Sequence, residues 1–377
     1  MLRTSASQAL YLNTSHLPAL HKSLSLETLQ QQPPPTIQRT LQPAPSLAYS
    51  SPSSSARGSS VFHFQPSTSI KRPRVIHPIS TCSQTRTFTQ SRHTAAATAV
   101  SAAMSSKLIP SKPEDVMVIR NVTPNIATFS VPFSRYGKIK IGGRGTLVKL
   151  TSGSLAVFSP VALTEAAKAK VTEMGGDVRY IVALDYEHHI FVSEWAKAYP
   201  SAKLIGPEGL PEKRAKQQDD PKIGSEEFAV VFKKDNKREI RIDPEFDADF
   251  DYEYVDGHAN LEIVFLYKPE RVVIQADLLF NLPPTEQYSK VPEAEVPQDG
   301  AIGKVFACVQ NPRGDVKWLR RFNWYVASKD KNSFNESMER IAQWDFVTMI
   351  PCHGDVMEGD GKEIFQNVFE WHLKAHK

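Results

Sequence analysis

Cysteine is scarce: Cys82, Cys308 and Cys352 serve 377 positions, and none stands at C-x-x-C spacing. Three cysteines cannot close a disulfide framework, so a reducing compartment fits best. Long apolar runs are missing too. None approaches the roughly 18 residues that a membrane-spanning helix needs, and no membrane insertion is expected. Acid is missing from one region. Residues 1–103 hold nine Lys or Arg and one acid, Glu27, for a charge of +8, and the net +4 of the whole chain leaves −4 for residues 104–377. The basic balance belongs to that extension and not to the folded part, for which no nucleic-acid partner is expected.

The extension is rich in Ser, Thr, Gln, Pro and Arg, with "QQQPPP" and "SSPSSSARGSS". It holds too little apolar surface to offset the entropy of ordering and reads as disordered. An Arg-rich, Ser-rich and acid-poor segment has the composition of an organelle import sequence. A mitochondrial destination follows, with "TRTFTQSRH" (85–93) near a processing point. The plainer alternative is an unprocessed extension. A product starting at Met104 would lack it and stay cytoplasmic.

The folded domain is expected over 114–377. "DVMVIRNVTPNIATFSV" alternates like a strand pair, and "GTLVKL" and "LAVFS" flank the turn "TSGS". "LTEAAKAKVTEMGG" reads as a helix with Thr164 as N-cap and Gly175 at its end. "VRYIVAL", a short helix "FVSEWAKAYP" and "AKLIGP" complete a first half. The second half restarts with the strands "FAVVFKK", "REIRID", "DFDYEYVDG", "LEIVFLYKP" and "RVVIQADLLF". A variable stretch 281–315 follows, then a helix around "DVKWLRRFNWYVAS". "SFNESMERIAQW" is a helix with a capping box from Ser333 to Glu336. "FVTMIP" is a strand and "KEIFQNVFEWHLKAH" the last helix. Two halves of this kind imply an α/β fold of two mixed sheets packed face to face with helices outside.

Four stretches place His or Asp at the end of an apolar run: "DYEHHIF", "DGHANLEIVFLY", "VVIQADLLF" and "MIPCHGD". Imidazole and carboxylate suit Zn²⁺, Fe or Mn²⁺. Asp185, Glu187 and His189 share strand parity and form one local set; Asp185 and Glu187 read alternatively as groups that orient imidazole N–H. Cys352 reads as a small buried residue and "KWLRRFNW" as an amphipathic surface helix.

The order of these stretches across 114–377 resembles the metallo-β-lactamase fold family. "NIATFSVPF" and "GTLVKLTSGSLAVFSP" resemble its opening strand and hairpin, and "VRYIVALDYEHHIFVSEWAKAYPSAKLIGP" is similar to its strand, H-x-H-x-D-H loop, helix and strand. "VDGHANLEIVFLYKPERVVIQADLLF" resembles its Gly-His turn and metal-bridging Asp, and "MIPCHGD" its last ligand loop. The resemblance implies a four-layer αβ/βα sandwich that binds one or two metal ions. His258, Asp277, His353 and His189 match family ligands. The motif's Asp is replaced by His188, its two earlier histidines by Leu184 and Tyr186, and the hairpin's Asp by Ser159.

What survives implies one divalent ion at the second position of the family site. His188, His189, Asp277 and His353 would hold it, with His258 as a fifth ligand or an acid/base. Zinc is the first expectation; iron, manganese and a metal-free protein are the others. The expected activity is hydrolysis of a small ester, thioester or phosphoester, with His188 or His258 passing the proton. The alternative is a non-catalytic relative with a structural or vestigial site.

Overall fold

The computed structural model describes residues 112–375. The extension 1–103, its import reading, Met104 and His376 lie outside the described residues. Strands β1 (Val118–Thr123) and β2 (Ile126–Val131) form the expected opening pair, and β3 (Ser134–Arg135) and β4 (Ile139–Lys140) make a small hairpin of their own. β5 (Gly143–Lys149), β6 (Leu155–Phe158), β7 (Val178–Val182), β8 (Lys203–Pro207) and β9 (Val230–Phe232) extend the first sheet, in the order β1-β2-β5-β6-β7-β8-β9. It is antiparallel up to β6 and parallel beyond. The second sheet runs β10 (Phe250–Val255), β11 (Glu262–Tyr267), β12 (Val272–Ile274), β13 (Thr348–Ile350), and its last pair is parallel.

Alternation along the strands sorts the core into layers. On β11, Ile263, Phe265 and Tyr267 point between the sheets, where they join Phe158, Tyr180, Val182 and Phe232 of the first sheet. Val264 and Leu266 point the other way, onto Phe334, Met338 and Phe365 of the helices behind. Ile181 of β7 likewise faces the outer helices, with Val171 and Trp195. A side-chain period of two is what a strand buried on both faces requires. The result is the four-layer αβ/βα sandwich implied by the sequence resemblance.

The first-sheet helices are α1 (Pro113–Val116), α2 (Glu165–Glu173), α3 (Val192–Ala198) and α4 (Leu210–Ala215). Thr164 caps α2 as expected, its hydroxyl accepting the N–H of Ala167 at 3.1 Å. The other helices are α5 (Pro244–Asp249), α6 (Thr285–Tyr288), α7 (Ala301–Val309), α8 (Lys317–Phe322), α9 (Lys331–Gln343), α10 (Gly361–Val368) and α11 (Glu370–Lys374), with a π-helical turn at Asn323–Ala327.

Two local expectations are corrected. α9 starts two residues before Ser333: Asp330 is its N-cap and accepts the N–H of Ser333, while the Ser333 hydroxyl donates to Asp256. "REIRID" is not a strand; residues 238–242 run as turn and loop before α5. Arg238 there leaves the sheet to pair with Glu253 and Glu336.

Candidate metal centre

Three loops at the C-terminal ends of strands carry the candidate ligands: 183–191 after β7, 275–281 after β12 and 351–355 after β13. Parallel strands bring such loops to one edge of a sheet. The ladder between β12 and β13 continues past their ends, with the N–H of Gln275 donating to Ile350 O and that of Cys352 to Gln275 O. Asp277 and His353 are therefore held at matched depth, and the first sheet supplies His188 from across the sandwich.

The ligand atoms of His188, Asp277 and His353 all lie within 4.8 Å of one another. His188 Nε2 is 3.1 Å from His353 Nε2, and His353 Nε2 is 3.2 Å from Asp277 Oδ1. The far side of each ligand is fixed. His353 Nδ1 lies 2.7 Å from the Gly142 carbonyl, which can only accept, so Nδ1 carries the proton. His188 Nδ1 lies 2.9 Å and 3.0 Å from the two Asp185 oxygens and donates to them. Asp185 also accepts the N–H groups of Glu187 and His188, which sets the turn. Asn260 donates to Asp277 Oδ2 at 2.5 Å.

With each Nδ1 engaged, the two Nε2 atoms face each other, and without an ion they share a proton, His188 Nε2–H donating to His353 Nε2 at 3.1 Å. The third group, Asp277 Oδ1, is buried and receives no hydrogen bond among the described residues. Three donor atoms so placed make a strongly cation-attracting field, which a proton or a metal ion can fill. The same field appears in the protonation equilibria. Burial opposes a charge on His188, but Asp185 and Asp277 outweigh it and raise the imidazole to about 10. Burial also opposes the Asp277 carboxylate, yet His188 and His353 hold it well below the ordinary carboxylate range.

The two remaining sequence candidates are not among the three converging atoms. His189 is turned toward Arg214, which donates to its carbonyl at 2.9 Å and lies 3.4 Å from its Nδ1. Burial, with Lys213 and Arg214 beside it, pushes His189 down to about 3. Adjacent side chains in the tight 186–190 turn diverge, so His188 and His189 do not share one centre. His258 is buried beside the cluster and outside the three converging atoms. Its Nδ1 accepts the N–H of Asn260 at 3.3 Å, which puts the proton of the neutral ring on Nε2. Burial lowers His258, and the carboxylates of Asp277 and Asp185 offset this only in part.

Leu184 is core and Tyr186 is half-buried. Glu187 pairs with Lys213. Cys352 is buried, its thiol pushed up by burial. Sequence reasoning missed Glu262, whose fully buried carboxylate accepts the N–H groups of Ala276 at 2.7 Å and Asp277 at 3.0 Å and so fixes the Asp277 turn. Burial, then Asp185 and Asp277, raises its pKa well above the ordinary value. Its one signal was an acid at the head of the apolar strand "EIVFLY".

The fold and the cluster together define an αβ/βα sandwich with a His-Asp-His group at its rim. Residues 135–210, which include β7 and the His188 loop, match a family model described as a domain of unknown function, DUF4336. No curated protein matches the chain. Among solved structures it is similar to the metallo-beta-lactamase DIM-1 exposed to ceftazidime, at 12% identity and a TM-score of 0.42 over 68% of this chain and 97% of that one. It is also similar to a metal-soaked flavodiiron core from Synechocystis sp. PCC6803, at 10% identity and a TM-score of 0.47 over 69% and 62%. A metallo-beta-lactamase from Pontibacter korlensis gives 10% identity and a TM-score of 0.42 over 67% and 99%.

Proposed function

We propose that the chain is a metal-dependent hydrolase-like protein that holds one divalent ion, most readily zinc, between His188, Asp277 and His353. The observation that carries this is the convergence of three possible ligand atoms within 4.8 Å of one another, one of them a buried carboxylate oxygen without a donor. Two imidazoles and a carboxylate form a donor set that zinc accepts, and iron or manganese also fit it. A divalent ion held there would supply Lewis acidity toward an acyl or phosphoryl oxygen and would lower the pKa of water toward neutrality.

The chain's own residues do the rest. Asp185 and the Gly142 carbonyl hold both imidazoles in the tautomer that leaves Nε2 free. His258, neutral in its buried setting, would offer an Nε2–H beside the cluster as a hydrogen bond to a substrate oxygen, without giving up that proton. The substrate is a small ester, thioester or phosphoester.

Elemental analysis of the purified full chain tests the reading. The expected result is about one divalent ion per chain, lost in His353→Ala and kept in Cys352→Ala. A folded wild-type chain without metal would overturn it. A second reading, a non-catalytic site, is favoured by Leu184, which closes the family's other ligand position with core. Metal without any chelator-sensitive turnover of thioester or phosphodiester probes decides for that reading. The import proposal is separate: imaging the full chain beside a Met104-start chain should place only the former in mitochondria.

A further inference from the structure

The described residues expose seven large hydrophobic side chains, and most of them lie on segments joined to the loops of the His188–Asp277–His353 group. Tyr136 tips the β3–β4 hairpin, and the flanks of that hairpin, Phe133 and Gly142, both touch His353. Ile190 follows His188 and His189 in the same turn. Ile302 and Val305 face outward from α7, 76% and 63% exposed. Phe306 of that helix meets Phe280, whose ring centroid lies 4.7 Å from that of His353. Trp318, Tyr325 and Val326 lie on α8 and the π-helical turn, against which α7 packs. That turn is fastened to the His258 loop: the Ala259 N–H donates to Ala327 O, and His258 pairs with Ser328. Single exposed apolar residues are ordinary, but their gathering on these linked segments is not.

Two segments of the rim are basic, although the stretch 281–299 that leads into α7, with Glu286, Glu293, Glu295 and Asp299 against Lys290, is not. Residues 134–140 hold Arg135, Lys138 and Lys140 and no acid, for +3. Residues 300–331 hold seven Lys or Arg against Asp315 and Asp330, for +5, in a domain whose total is −4. Lys140, Arg313 and Arg320 are paired with Asp299, Asp360 and Glu370, whereas Lys138, Lys304, Lys317 and Lys329 are exposed. Arg321 lies over the Trp318 ring at 5.1 Å, which keeps the indole on the surface beside a fixed charge.

Charge decides the occupant. The extension 1–103 and a second copy of this rim carry the same sign and repel it. Aliphatic Ile302, Val305 and Val326 offer nothing to a phosphate backbone. Aliphatic and aromatic tips set among lysines suit the headgroup–acyl boundary of an anionic bilayer.

We propose that this rim seats on an anionic membrane surface, with the metal centre opening toward the lipid. Its corollary, that the substrate is an amphiphilic ester or phosphoester drawn from the bilayer, rests on the hydrolase reading; the docking itself does not.

The test uses the full chain and vesicles of phosphatidylcholine with phosphatidylglycerol, with and without chelator. The chain should co-sediment in both cases, and brominated acyl chains should quench a tryptophan signal that disappears in Trp318→Phe. The triple variant Ile302→Asp, Val305→Asp, Tyr325→Asp, altered only at exposed positions, should bind at least about tenfold more weakly and keep its metal content. The N-terminal extension is common to every variant. Unchanged vesicle affinity in the triple variant, or quenching indifferent to Trp318, overturns the proposal. So does binding to a homopolymeric RNA with no binding to vesicles. A chain that seats on vesicles by this rim but carries no metal upholds the docking and sinks the hydrolase reading.

Discussion

Asp185 does two jobs with one carboxylate: it sets the turn through two backbone N–H groups, and it fixes the tautomer of His188. Asparagine can still accept the N–H groups but gives up the charge that makes Nε2 a strong donor to a cation. Asp185→Asn should therefore keep the fold and weaken metal retention by about 10- to 100-fold, read by competition with a graded chelator. His372 argues a different point at the same scale. It is boxed by Trp324, Phe334 and Phe369, its Nδ1 lies 2.7 Å from Asn335 Oδ1, and its Nε2 has no hydrogen-bond partner among the described residues. Burial, assisted by Lys331, lowers its pKa from 6.5 to about 4. The unfolded chain then binds this proton more readily than the folded one. The stability so contributed is complete above 6.5 and is lost as pH falls toward the folded value. Between about pH 7 and about pH 5 the wild type should lose about 2 kcal/mol relative to His372→Gln, measured as the difference in denaturant unfolding.

At the scale of elements, the last ligand loop is clamped by side chains far from it in sequence. Buried Arg144 on β5 donates to the carbonyls of Pro351 at 2.8 Å and Gly354 at 2.5 Å, and is itself held by Ser130 and Glu286. Gln287 on α6 donates to Cys352 O and accepts the Gly354 N–H, both at 2.9 Å. Gly354 has φ +86°, and a Cβ there would run into the backbone of Asn281. Gln287→Leu should leave the buried Cys352 carbonyl unpaired, while the Gly354 N–H keeps its second acceptor, Ile141 O, at a cost of about 1–3 kcal/mol. It should also loosen His353, so that the visible spectrum of the cobalt-loaded chain broadens; an unaltered spectrum at reduced stability would mean that the clamp is purely structural. Little of this was legible beforehand. Strands declared themselves because period-two alternation is local, and Thr164 announced its cap for the same reason. Arg144 and Gln287 act on carbonyls across the fold, and a carbonyl has no sequence signature. Nor does "EHHI" say which imidazole meets Asp277; the turn that Asp185 builds decides it. Ser333 looked like a cap because the S-x-x-E pattern ignores Asp330, which stands three residues earlier and wins the N–H of Ser333 itself.

At the scale of the molecule, the candidate ligands straddle the sandwich. His188 belongs to the first sheet, Asp277 and His353 to the second. The layers already share an aromatic core, in which Phe265 meets Phe158 at 5.1 Å and Phe246 at 5.9 Å, so the sheets do not depend on an ion to associate. An ion at the rim is then an added cross-link, whose contribution grows as RT ln(1 + [L]/Kd). Chelation should lower the melting temperature by several degrees, with ~1 kcal/mol corresponding to roughly 2–4 °C in a domain of this size. His353→Ala should melt near the chelated wild type and no longer respond to chelator, whereas Phe265→Ala should lose about 3–5 kcal/mol and respond as the wild type does. Scanning calorimetry of the three chains, each with and without chelator, separates the two contributions. Equal chelator shifts in the wild type and His353→Ala would mean that the ion, if bound, sits somewhere other than between the two sheets.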